Sequence, residues 1–101
     1  MPPTPVETSV VICAYTQARW HDMNAAIASA LRQPETDEVI VVIDHEDDLL
    51  RRTRQRWPHL SVVANTFQRG LSGARNSGVL AASGGVVAFL DDDATAEEGW
   101  L

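Results

Sequence analysis

Two nearly unbroken apolar runs, residues 9–14 with Val10, Val11 and Ile12 and residues 38–43 with Val39 to Ile43, mark the first and second strands of this chain. Runs without polar alternation suit strands covered on both faces, as in a parallel sheet. Between them the period changes. Met23, Ile27, Ala30 and Leu31 recur at three- and four-residue steps, which predicts a helix over 20–33 closed by Pro34. After the second run, Asp47 and Asp48 stand where carboxylates favour the free amides of a helix start, and the helix is predicted to run to about Trp57 before Pro58. Residues 60–65 form a weaker third strand. Residues 71–83 form a third helix, in which Ala74, Gly78 and Ala82 recur every fourth position and allow close approach to a sheet. An apolar strand over 86–90 then runs into Asp91, Asp92 and Asp93, and Thr95, Glu97 and Glu98 read as the opening turn of a further helix.

Strands alternating with helices imply right-handed crossovers and a parallel sheet. The predicted class is therefore α/β: a three-layer, doubly wound, mainly parallel, Rossmann-like sheet of order 3-2-1-4. In that order the winding reverses between the first and fourth strands, and ligands bind beyond the carboxyl ends of strands at such a reversal. Tyr15, Asp44 and the triplet Asp91 to Asp93 all fall there, although they are far apart in sequence. The last strand is left at an edge with backbone groups unpaired on one side, which suggests the amino-terminal part of a larger protein and offers a route to a homo-oligomer. Pro2, Pro3 and Pro5 predict a disordered start over residues 1–7, with one folded unit over 8–101.

Composition narrows the chemistry. The 101 residues are 45% apolar, enough for one packed domain, and carry a net charge of -6, which argues against a non-specific hold on nucleic acid. The only cysteine, Cys13, has no internal partner and suggests a reducing compartment; with no apolar stretch long enough to cross a bilayer, the expected location is cytoplasmic. The first strand leads into Ala14 to Trp20 without a glycine, so both the dinucleotide fingerprint and the Walker phosphate loop are missing.

The three aspartates have two readings. They are a solvated turn capping the next helix, or hard oxygen ligands for a magnesium or manganese ion that bridges to phosphate. Adjacent carboxylates at the end of a buried strand repel each other, and a cation relieves that repulsion. If the strand conformation persisted, Asp91 and Asp93 would share one side and Asp92 the other. Asp44 is a turn residue or an acceptor for a ligand edge. Arg75 meets a phosphate, holds the acidic loop, or forms a surface ion pair. His21, His45 and His59 lack metal-ligand spacing, the tryptophans at helix ends read as packing anchors, and the arginines over 51–56 as a solvated face.

These blocks together resemble the nucleotide-binding half of family-2 glycosyltransferases of the GT-A fold, over about residues 9–101. SVVICAYTQARW is similar to that family's first strand and nucleotide loop, DEVIVVIDHEDD to its second strand and acid, and GLSGARNSGVLAASGGVVAFLDDD to its most specific segment. The resemblance implies a sugar transferase using a nucleotide-diphosphate donor, commonly a uridine diphosphate sugar, with a divalent cation, and an acceptor hydroxyl of unknown nature. It implies that Asp44 contacts the base, that Ala14 and Tyr15 line its site, and that the triplet is the acidic metal motif, with Asp91 toward the ribose and also a metal ligand, Asp93 on the metal, and Asp92 among the substrate-binding residues without a settled partner. It makes residues 8–101 the nucleotide-sugar-binding part, with the acceptor half and general base beyond Leu101 and membrane-peripheral placement open for the whole protein. Where members often carry two acids followed by Gly and Ser, this chain has Ile43, Asp44, His45 and Glu46. A sugar nucleotidyltransferase is the alternative enzyme, but needs a glycine-rich basic loop after the first strand; a non-catalytic fragment that only binds or associates is the other.

Overall fold

A computed structural model describes residues 6–101. Strand β1 (Thr8–Ala14) is followed by a 3-10 turn (Gln17–Arg19) and helix α1 (Trp20–Leu31), then β2 (Glu38–Ile43), α2 (Asp47–Arg56), β3 (Ser61–Ala64), α3 (Leu71–Ala81) and β4 (Val86–Asp91). All pairings are parallel, as the alternation predicts, and the sheet order is β3-β2-β1-β4, that of the doubly wound arrangement. The expected disordered start falls mostly on residues 1–5, outside the described residues. Glu7 is tied down: its amide donates to Asp37 Oδ2 (3.0 Å) and its carbonyl accepts from Val86 N (2.9 Å).

The pleat divides each apolar run between two cores. Val10, Ile12, Val39, Val41 and Ile43 pack with Met23, Ala26, Ile27 and Leu49 of α1 and α2, whereas Val11, Ile40 and Val42 pack with Ala74 on the α3 side. That explains why neither strand alternates in polarity. Helix α1 stops at Leu31, ahead of the backbone restriction that Pro34 places on Gln33.

The small-residue stripe of α3 does what its spacing predicts. Gly78 lies against β1 so closely that a Cβ there would collide with Val11 Cγ1. Gly78→Ala is therefore expected to overpack this side of the core and to cost about 1–3 kcal/mol, read as a lowered midpoint in thermal unfolding. Gly70, just before α3, has φ 133°, a backbone region that side chains disfavour.

One local expectation gains detail and another fails. The arginines of α2 are exposed yet engaged: Arg52 and Arg56 lie over the rings of Trp20 and Trp57 at 3.8 and 4.2 Å, Arg51 pairs with Asp48, and Arg54 Nε donates to Val62 O. No helix forms at Thr95. Ala96 N donates to Ser29 Oγ (2.8 Å), and Gln33 Nε2 donates to the carbonyls of Ala96 and Glu97 (3.3 and 2.7 Å). The backbone groups a helix would use are thus bonded to Ser29 of α1 and to Gln33 just beyond it. Among the described residues β4 pairs only with β1, leaving Val86 58% exposed on the open margin.

Candidate functional site

Beyond the carboxyl ends of β1, β2 and β4 lies a cleft of about 510 Å³, walled on one side by the first turn of α3. Ala14, Tyr15, Asp44, Arg75 and Asp91 to Asp93 all line it, so every residue assigned to the site from the sequence lies on this one cleft. A volume of that size accommodates a nucleotide-scale ligand.

Asp44 follows β2 and is only 8% exposed. Its amide donates to Ala14 O (2.8 Å), continuing the β1–β2 pairing by one step. Its Oδ1 accepts from Asn65 Nδ2 (2.9 Å) and its Oδ2 from Gly70 N (3.0 Å). Asn65 Oδ1 in turn accepts from Phe67 N and from Ser77 Oγ. One carboxylate thereby joins the end of β2 to the loop after β3 and to the start of α3. Two acceptor oxygens with several lone-pair sites leave it able to accept from a ligand as well.

His45, which sequence reasoning leaves as a turn or surface residue, lines the cleft with φ 55°. Its Nε2 donates to Phe67 O (2.8 Å), and Arg69 Nη2 donates to His45 O (3.2 Å). The loop over 65–70 thus wraps the Asp44–His45 corner. The sequence signal for it was the departure at His45 from the family's usual acid-rich pattern.

At the opposite end, strand conformation stops at Asp91, and Asp92 and Asp93 enter a turn closed by Ala94 N donating to Asp91 O (3.1 Å). Asp91 and Asp93 are exposed, whereas Asp92 is 5% exposed. Arg19 Nη1 donates to Asp92 Oδ1 at 3.1 Å, and Asp92 Oδ2 is buried with no partner among the described residues. Burial pushes the Asp92 carboxyl above the usual range, and the Arg19 guanidinium opposes that shift. Arg19 also lies 5.4 Å from the centre of the Tyr15 ring. Arg75, one candidate for holding the acidic loop, instead sits over Phe89 at 5.2 Å. The loop is held by Arg19, which the sequence reading passed over because its partner is 73 positions away.

Burial raises the Cys13 thiol on the cleft wall to about 11, so it stays protonated near neutrality. Three arginines, Arg19, Arg69 and Arg75, face five acids, Asp44, Glu46 and Asp91 to Asp93, across the cleft. An anionic ligand entering such an acid-rich site favours a counter-cation. Among the described residues no three His, Cys, Asp or Glu side chains converge as a closed metal cage. Magnesium-type sites that use one or two carboxylates plus ligand phosphates need no such cage, and exposed Asp91 and Asp93 have the hard oxygens this requires.

Residues 9–101 match the family described as Glycosyl transferase family 2. This chain belongs to glycosyl transferase family 2. It is 33% identical over 100 residues to the glucosyl-dolichyl phosphate glucuronosyltransferase of Haloferax volcanii, covering 95% of this chain and 32% of that protein. It is 32% identical over 90 residues to the UDP-Glc:alpha-D-GlcNAc-diphosphoundecaprenol beta-1,3-glucosyltransferase WfgD of Escherichia coli, covering 84% of this chain and 34% of that one. The fold matches the crystal structure of S. aureus TarS 1-349 with a TM-score of 0.66 at 22% identity, over 86% of this chain and 27% of the other. The family-2 chain has the GT-A architecture and spans about a third of the length of these two curated relatives. No helix among the described residues is long and apolar enough to cross a membrane.

Proposed function

We propose that this family-2 unit binds the nucleotide diphosphate of a sugar donor and that the whole protein transfers the sugar to an acceptor hydroxyl. The observation that carries the reading is the convergence of Tyr15, Asp44 and Asp91 to Asp93 on one cleft at the winding reversal. In this reading residues 8–101 form the donor-binding part. Asp44 accepts from the base, with Ala14 and Tyr15 beside it, and the base is uracil, as in the UDP-Glc named for the Escherichia coli relative. Asp91 faces the ribose and, together with Asp93, the cation. The first turn of α3, with Arg75 nearby, presents backbone amides and positive charge to the diphosphate.

Asp91 and Asp93 would hold a manganese or magnesium ion, whose charge would offset that developing on the leaving diphosphate. The chain's own task is to orient the donor, anchoring the base end at Asp44 and the phosphate end at the acidic turn. A sugar nucleotidyltransferase is disfavoured, since residues 15–20 carry a 3-10 turn in place of a glycine-rich phosphate loop.

Calorimetric titration of the full-length protein with uridine diphosphate tests this reading. Binding that strengthens at least about tenfold with manganese is expected. No binding of uridine diphosphate with or without the cation overturns it.

A further inference from the structure

Of the three consecutive aspartates, the middle one faces inward, and a residue from a distant part of the chain holds it. Asp92 is 5% exposed, its Oδ1 accepts from Arg19 Nη1 at 3.1 Å, and its Oδ2 has no partner among the described residues. The buried side chain is therefore fixed by one directional contact. Arg19 itself stands on a firm mount. The Thr16 side chain accepts from Ala18 N (3.1 Å) to start the 3-10 turn, Arg52 Nη1 donates to Gln17 Oε1 (3.2 Å), and Arg52 lies over Trp20. Downstream, the segment after the turn is fastened to α1 through Ser29 and Ala96. Both sides of the acidic turn are thus attached to the segment that follows β1.

We propose that Arg19 is a positioning residue that holds Asp92 inward so that its neighbours Asp91 and Asp93 stay turned toward the cleft. It acts through Asp92 and touches no reacting atom. The kinetic part of the inference rests on the donor-binding reading above; the structural part does not. Because a single N–H reaches Asp92, a point charge of similar reach can substitute, and lysine should rescue where an isosteric neutral chain does not.

Two measurements on the full-length protein test it. Amide hydrogen exchange at Ala94, whose N–H closes the turn, is expected to accelerate about tenfold or more in Arg19→Met and to stay within about threefold of wild type in Arg19→Lys. In transfer assays Arg19→Met should lower kcat/KM for the donor by about 10- to 100-fold. Arg19→Lys should recover most of that loss, and Arg19→Met should add nothing to Asp92→Asn, as expected for residues acting as a pair. Unchanged exchange at Ala94 in Arg19→Met overturns the inference whatever the activity, as do fully additive losses in the double variant. If the variants show this exchange pattern while the wild-type protein binds no uridine diphosphate, the donor-binding reading falls and the hold of Arg19 on the turn stands.

Discussion

Asp91→Ala and Asp93→Ala are expected to lower sugar transfer by the full-length protein roughly 10²- to 10³-fold, a loss typical of removing electrostatic stabilisation of a leaving group, while leaving the fold intact. The two halves of that expectation come from different observations. Both residues are exposed, and among the described residues neither side chain makes a hydrogen bond or ion pair, so truncation should move stability by no more than about 0.5 kcal/mol. Both line the cleft beside the buried Asp92 and offer hard oxygen donors where a diphosphate would need a cation. Cation titration of activity together with thermal melts checks the expectation. Loss of manganese dependence at unchanged melting temperature is the predicted outcome, and wild-type activity in both variants would contradict it.

Asp44→Ala should instead damage both binding and stability. Its carboxylate accepts from a buried amide side chain and from the Gly70 backbone, and hydrogen bonds to charged acceptors contribute about 1.5–3 kcal/mol each. Truncation leaves both donors without that acceptor and loosens the loop over 65–70, so a loss of about 3 kcal/mol or more is expected. For a domain of about 100 residues that corresponds to roughly 12–24 °C in melting temperature. Uridine diphosphate affinity should fall about 100-fold as the base end of the cleft loses its acceptor. Asp44→Asn keeps one carbonyl acceptor and should fall between the two. Equal melting temperatures for wild type and Asp44→Ala would show that the junction of β2, loop and α3 does not depend on this carboxylate.

Much of this architecture was legible because burial and period coincide. The runs over 10–12 and 39–43 are apolar on both faces because helices cover both faces of the sheet, and the four-residue stripe in α3 reads directly as close packing against Val11. The sheet order followed once the doubly wound arrangement was taken for strands alternating with helices through right-handed crossovers. What stayed hidden depends on side chains meeting across the fold. Nothing local in residues 16–20 marks Arg19 as the partner of Asp92, and nothing local in the triplet says that its middle member turns inward. The helix expected at Thr95 failed for a similar reason: its first-turn acids are a genuine local signal, but Ser29 and Gln33 compete for the same backbone groups. The left-handed backbone of His45 is likewise set by its surroundings, through Phe67 and Arg69.

Among the described residues the two ends of the cleft are carried by different strands: Asp44 continues β2, paired with β1 and β3, and the triplet follows β4, paired with β1. A ligand clasped between these ends would bridge elements that the sheet joins only through β1, so occupancy and cohesion of the unit would rise together.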